Sequence, residues 1–279
     1  MPGSADSPRT LLVANGCSMT YGSELHDDAQ GHCIDDHRRA TEAWPGQLGQ
    51  LLCCDEVVNL GVPSASNERI ARTTIDWLAR HLGQSTDGAR LLVVIGWSSG
   101  DRREFHVDGE WRQVIPRHTQ RHADTERLTA VYRQVANSQT DNALRYLNHV
   151  LLMQAFLAHH GVEYLFFDAI EGVRGLSIES GADVQHLWDM VEARRYLGFD
   201  EIDGSMANVL SERAPRWNGR HPAADGHTIW GRSLFDFLVQ GGMAPRTPHR
   251  RATGDQAPAP EKAGKFGFGR KRRFNFIYP

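Results

Sequence analysis

The chain has 279 residues, 40% of them hydrophobic, with 34 acidic and 31 basic side chains and a formal net charge of −3. That length and apolar content support a sizeable core, in one large domain or two small ones. No apolar run approaches the roughly 18 residues of a membrane span, and Met1 to Arg9 lacks the apolar centre of a secretory signal. The four cysteines, Cys17, Cys33, Cys53 and Cys54, show no disulfide-framework or CxxC spacing. Cys53 and Cys54 read as reduced core residues in a helix. These features exclude a membrane-spanning or disulfide-stapled protein and make a cytoplasmic location the expectation.

Residues 1–9 read as a flexible N-terminal segment. The first strand follows, over Thr10 to Ala14, and runs into Asn15-Gly16-Cys17-Ser18-Met19-Thr20-Tyr21-Gly22. A serine on a glycine-bearing turn after a strand presents its hydroxyl at the strand's carboxyl edge, where open α/β sheets bind ligands. The plain alternative is a serine that caps the next helix. From Glu24 to Ala40 the chain is polar, with His26, His32, Cys33 and His37 among Asp27, Asp28, Asp35 and Asp36. No HxxxH or CxxC pair fixes a coordination geometry, so a solvated loop beside the serine is preferred to a metal site.

A second strand, Glu56 to Leu60, leads through Gly61-Val62-Pro63-Ser64-Ala65-Ser66 to a helix capped by Asn67. Its inner face carries Ile70, Thr74, Trp77 and Leu78, while Arg69, Arg72 and Asp76 face water. A third strand, Leu91 to Gly96, ends in Trp97-Ser98. Alternation around Asp108-Gly109 predicts a hairpin over Glu104 to Val114. It lies just after the third strand, where it can shape a substrate pocket. The neighbouring Arg102, Arg103 and Glu104 bind a substrate carboxylate or phosphate, or form a surface ion-pair cluster. A long helix from Asn142 to His159, a fourth strand from Val162 to Phe167, and a last helix with Trp230, Leu234, Phe237 and Leu238 complete the pattern. Strands alternating with helices predict a parallel sheet covered on both faces.

Just before that last helix stand Asn218-Gly219-Arg220-His221-Pro222. The segments around Ser18, Ser64 and Ser98 and this late loop, in that order, together resemble the SGNH (GDSL-like) hydrolase superfamily, over about residues 10 to 240. The resemblance implies a three-layer α/β/α sandwich with a mainly parallel, flavodoxin-like sheet over residues 10–243. It implies Ser18 as nucleophile and His221 as general base, with oxyanion donors from the backbone N–H groups of Ser18 and Ser64. Ser64 stands where the family usually has Gly. Ser98 stands where it usually has Asn, leaving its hydroxyl, another residue or nothing as the third donor. Asn218 replaces the usual Asp, so a Ser-His dyad is oriented by Asn218, or Asp225 or Asp168 takes that place, or the site is silent. Asn67, Trp97 and Arg103 are the candidate substrate-binding residues.

The expected activity is hydrolysis of an ester or acetyl group on a small molecule through an acyl-serine, with no cofactor or metal. An acyltransferase using the same site and a silent SGNH-like recruitment module are the alternatives. The tail, residues 244–279, carries nine Lys or Arg and two acids, a net +7 that leaves −10 on the rest. It ends in Arg270-Lys271-Arg272-Arg273 and Phe274-Asn275-Phe276-Ile277-Tyr278-Pro279. Docking on its own acidic domain or on a sister subunit is expected, rather than binding to nucleic acid.

Overall fold

The structure is a computed structural model that describes residues 9–82, 89–117, 123–180 and 184–243. The basic tail, and with it the expected docking, lies outside the described residues. In chain order the elements are β1 (Thr10–Gly16), α1 (Ser18–Tyr21), α2 (Asp36–Glu42), α3 (Trp44–Leu51), β2 (Glu56–Asn59), α4 (Asn67–His81) and β3 (Arg90–Trp97). A hairpin of β4 (Arg103–Val107) and β5 (Glu110–Val114) follows, then α5 (Ala123–Val135), α6 (Gln139–His159) and β6 (Glu163–Asp168). The chain continues through α7 (Val173–Ser180), α8 (Gln185–Trp188), β7 (Tyr196–Leu197), α9 (Met206–Arg213), β8 (Trp217–Asn218), β9 (His221–Pro222) and α10 (Ala224–Gln240).

Five strands form one parallel sheet in the order β2-β1-β3-β6-β7. Counting only the sheet's own strands, this is the flavodoxin-like order, whose ligand crevice opens at the carboxyl ends of the strands where the winding reverses. Here that reversal falls between β1 and β3. Helices α3 and α10 pack together over one face, and α4 and α6 lie over the other, which gives the three layers. The strands are apolar because both faces are covered: Leu12, Val13, Leu92, Val93, Val94, Ile95, Leu165 and Phe166 are all buried.

Two glycines set the height of the site above the sheet. Gly16 and Gly96 are partners across β1 and β3. A Cβ on Gly16 would stand 2.1 Å from Thr20 Oγ1, and one on Gly96 would stand 2.6 Å from Phe167 Cζ. With neither present, α1 settles directly on the strand ends. Beneath it Phe167 meets Trp44 and Trp230 edge-on, with centroids 5.3 and 5.2 Å away. Each such ring contributes about 2–3 kcal/mol of buried apolar surface.

The structure revises several local expectations. The fifth strand has two residues, too short to leave an alternating pattern. The hairpin forms around Asp108 and Gly109, both at positive φ, as an Asp-Gly turn requires. Ser66 caps α4, its hydroxyl accepting from Arg69 N, and Asn67 is the first helical residue. Arg69 and Arg72 do not face open water but hold Glu104, whose side chain is 0% exposed, at 3.2 and 2.9 Å. Cys53 lies past the end of α3, exposed and at φ 53°, rather than in a helical core. The polar stretch after Glu24 contains α2, tied back by Arg39, which stacks 3.8 Å from the Tyr21 ring and donates to the Tyr21 carbonyl.

Candidate active site

Ser18 is the first residue of α1, at the carboxyl end of β1. The cap position belongs to Cys17, so Ser18 is not the helix cap. Among the described residues nothing hydrogen-bonds its hydroxyl, and the side chain is half-buried. Asn15, one step inside the strand, ties the site to the layer below. Its amide donates to Ile70 O, Thr73 Oγ1 and Thr74 Oγ1 on α4 at 3.1, 2.9 and 2.8 Å. Asn59 does the same on the other side, donating to Thr20 O at 2.9 Å and accepting from Gly61 N at 3.0 Å. The β2–α4 turn is therefore pinned against α1, and Ser64 lies in it at φ 67°. That left-handed conformation favours glycine, the residue the resemblance leads one to expect here, and Ser64 adopts it all the same.

After α1 the chain turns sharply, with Gly22, Glu24 and His26 all at positive φ. Two of these are not glycine, a strain that clusters where geometry serves function. The turn carries Glu24 to the loop between β8 and β9. There its Oε2 accepts from Arg220 N at 2.8 Å and His221 N at 3.1 Å, and stands 3.2 Å from His221 Nδ1. The ring N–H points off the line of an ideal hydrogen bond, although the pair is within ion-pair reach. Such bonds are often loose before substrate arrives. Burial lowers the His221 pKa below its usual 6.5, against the pull of the Glu24 carboxylate. Element β9 packs against α1, which puts His221 and Ser18 on neighbouring segments.

Asn218 holds Glu24 rather than the imidazole: its Nδ2 donates to the Glu24 main-chain oxygen at 3.0 Å. Neither alternative carboxylate serves the imidazole. Asp225 pairs with Arg216 at 3.0 Å at the start of α10. Asp168 is sealed between α6 and the end of the sheet, accepting from Tyr146, Tyr196 and Val173 N, and burial pushes its carboxyl up to about 6.

The other candidates are placed less favourably. Ser98 is 0% exposed and its hydroxyl has no partner; its main-chain N–H and carbonyl are both taken by the Asn67 amide, at 2.8 and 3.3 Å. Asn67 is thus a latch between α4 and the end of β3. Trp97 is core, packed on Phe166 and Tyr146, and is not available to a substrate. Arg103 is also committed: it donates to Gly100 O, Arg102 O, Asp141 and Asn142 and lies over the Tyr132 ring. Arg103, held by Asp141, and Glu104, held by Arg69 and Arg72, are buried braces and not a surface cluster. Among the described residues no group of three or more metal-ligating side chains converges, and no helix is long and apolar enough to cross a membrane.

The parallel sheet order and the helices on its two faces define a three-layer α/β/α protein, with Ser18 at the carboxyl end of β1 and the Glu24–His221 pair on segments next to it. The chain belongs to a family of unknown function (DUF6071), whose model matches residues 23–251. No curated protein sequence matches it significantly. Solved structures similar to it include a carbohydrate esterase family 2 enzyme from Corynascus thermopiles, at 11% identity and TM-score 0.48, covering 86% of this chain and 68% of that one. A lipolytic G-D-S-L family member from Veillonella parvula has 10% identity and TM-score 0.39, covering 83% and 97%. A psychrotrophic esterase from Pseudoalteromonas has 8% identity and TM-score 0.42, covering 83% and 97%.

Proposed function

We propose that this protein is a serine ester hydrolase acting on a small acylated molecule. In this reading Ser18 is the nucleophile, His221 the general base and Glu24 the carboxylate that orients and charges the imidazole. The observation that carries it is Glu24 Oε2 beside His221 Nδ1, on a loop packed against the Ser18 helix. With Nδ1 3.2 Å from the Glu24 carboxylate, Nε2 is the nitrogen that takes the Ser18 proton as Oγ attacks the acyl carbon. The same nitrogen returns that proton to the departing alkoxide. Water then attacks the acyl-serine with His221 again as base, releasing the acid and restoring Ser18. Backbone N–H groups of Ser18 and Ser64 face the developing oxyanion. A lowered His221 pKa keeps the base unprotonated at neutral pH. No cofactor enters this scheme.

The test is labelling with a neutral fluorophosphonate, followed by peptide mapping. Label is expected on Ser18 alone, and Ser18→Ala should lose both label and esterase turnover while unfolding at the same temperature. Equal labelling or turnover in a folded Ser18→Ala protein overturns the reading. Transfer of the acyl group to an added alcohol or amine in preference to water would make the same site an acyltransferase.

A further inference from the structure

Arg102 lies on the loop after β3 and is only 9% exposed. A guanidinium taken this far from water ordinarily carries a carboxylate partner. Every other buried arginine of this region has one: Arg39 holds Asp36 and Arg103 holds Asp141. Arg102, by contrast, has no ion pair among the described residues. The guanidinium's one hydrogen bond there is a long one, Nη1 to Ala65 O at 3.5 Å. Its remaining nitrogens are unpaired yet not sealed from solvent. Asp101 is engaged by Ser99 and Arg117, and Glu24 lies against His221. Glu68 and Asp27 each keep a buried oxygen without a hydrogen-bond partner, but neither comes within ion-pair distance of Arg102.

The place of this charge is informative. Ala65 directly follows Ser64, whose N–H is one of the two backbone donors in the proposed site. Arg102 is also close enough to His221 for its charge to help depress that imidazole's pKa. A buried cation is thus held beside the site, with no anion within ion-pair distance among the described residues. The site also lacks a donor. The residue after Trp97 has a buried hydroxyl and a backbone locked by Asn67, so Ser98 cannot supply a third oxyanion contact.

We propose that Arg102 supplies that third contact, its guanidinium donating to the carbonyl oxygen of the ester as it becomes an oxyanion. This rests on the serine hydrolase reading above and adds to it. As Ser18 Oγ bonds to the acyl carbon, the C=O π pair moves to oxygen, and the new charge forms next to the unpaired cation. When the tetrahedral intermediate collapses, that pair re-forms the carbonyl and the alkoxide leaves with the proton from His221. Nothing else is consumed.

The experiment compares wild type with Arg102→Ala, Arg102→Met and Arg102→Lys. It measures the rate of Ser18 phosphonylation by a neutral fluorophosphonate, steady-state kinetics on p-nitrophenyl acetate and p-nitrophenyl hemisuccinate, and the thermal midpoint. Loss of one oxyanion donor predicts a fall of about 100- to 1,000-fold in kcat and in phosphonylation rate, on both esters alike, with KM little changed. Arg102→Lys should recover part of the rate. Arg102→Met should unfold at or above the wild-type temperature, because an unpaired buried charge has been replaced by an apolar chain. If wild type is labelled at Ser18 and Arg102→Ala is labelled equally fast, Arg102 is not the donor and the hydrolase reading stands. A loss confined to KM for the hemisuccinate assigns Arg102 to substrate recognition and overturns the proposal. Failure of both Arg102→Ala and Arg102→Met to fold assigns it to structure and overturns the proposal as well. If wild type is not labelled at Ser18 at all, both readings fall.

Discussion

Glu24 and His221 stand 3.2 Å apart, carboxylate to Nδ1, although 197 positions separate them in the chain. The same Oε2 also accepts the main-chain N–H groups of Arg220 and His221, so the carboxylate holds the loop by hydrogen bonds and stands beside the ring as a charge. Glu24→Gln should therefore cut kcat by about 100- to 10,000-fold, since an amide orients the ring wrongly and cannot offset an imidazolium. Because Glu24 raises the His221 pKa and burial lowers it, removing the charge should move the acid limb of kcat/KM to still lower pH. An unchanged rate and profile would detach Glu24 from the reaction.

Asn218 gives the complementary test. Its amide donates to the Glu24 carbonyl at 3.0 Å, and a carboxylate there would face that oxygen with no proton to offer. Asn218→Asp should thus lower activity by about tenfold, the scale of one lost hydrogen bond. A rise in activity on making this substitution would mean that position 218 orients the imidazole directly.

Gly219 has φ 61°, and a Cβ there would sit 2.8 Å from Glu24 Oε2. Gly219→Val combines a disfavoured backbone with displacement of the carboxylate. It should cost about 1–2 kcal/mol in urea unfolding and lower kcat well beyond what that loss explains. Full activity in this variant would show that the loop tolerates a displaced carboxylate.

The ion-pair brace under the hairpin makes a prediction about stability alone. Glu104 is sealed between Arg69 and Arg72, and Arg72 also lies 4.1 Å over the Trp111 ring. Glu104→Gln leaves two guanidiniums without their counter-charge, at about 2–4 kcal/mol, a little under the roughly 3–5 kcal/mol of a fully buried broken pair because both arginines still touch water. Urea denaturation should show the loss. Ser18 labelling of the folded fraction should be unchanged.

His227 predicts a response to acid. It is buried, its Nδ1 accepts from Trp44 N at 3.2 Å, and burial pushes its pKa from 6.5 to about 3. The unfolded chain protonates this ring first, so its stabilising contribution is complete above about 6.5 and is lost as pH falls toward 3. The slope is at most about 1.4 kcal/mol per pH unit. Asp168 acts with the opposite sign. Its folded pKa of about 6 exceeds 3.8, so the folded state gains a proton first as pH falls. The measurement is therefore the stability difference between wild type and His227→Gln, at one-unit pH steps. It should shrink as pH drops, and a constant difference would sink the assignment.

Much of the scaffold was legible in the chain. Strands β1, β3 and β6 are buried on both faces and read as apolar runs, the edge strand β2 is legible from its Val57-Val58 pair despite its exposure, and Ser18 and His221 stand out because each lies in a strong local motif. Glu24 was hidden because its role depends on tertiary return: a carboxylate in a polar stretch looks solvated until the left-handed turn at residues 22–26 is known. A usable hint was present, since Asn218 in place of a carboxylate, beside a loop rich in acids, calls for a donor from outside the late motif. Asp168 looked plausible at a strand end, but burial with two tyrosines reserves it for the core. Trp97 and Arg103 illustrate the opposite error. Both lie at the edge where ligands bind, yet packing claims the indole, and Asp141 and Asn142 claim the guanidinium.

The return of Glu24 to His221 also bears on when the site can exist. In the proposed mechanism the nucleophile and the orienting acid lie within one short stretch ahead of α2, while the base is delivered by the hairpin ahead of α10. During synthesis, at about 5–20 residues per second, the first two wait tens of seconds for their partner. Through that interval the parallel strands can already pair, but on the proposed mechanism Ser18 has no base and should be chemically quiet. Contacts this distant in sequence close late because the loop entropy must be met first. Reactivity toward a serine-directed probe is thus a timer for docking of the C-terminal hairpin and helix, separable from formation of the sheet.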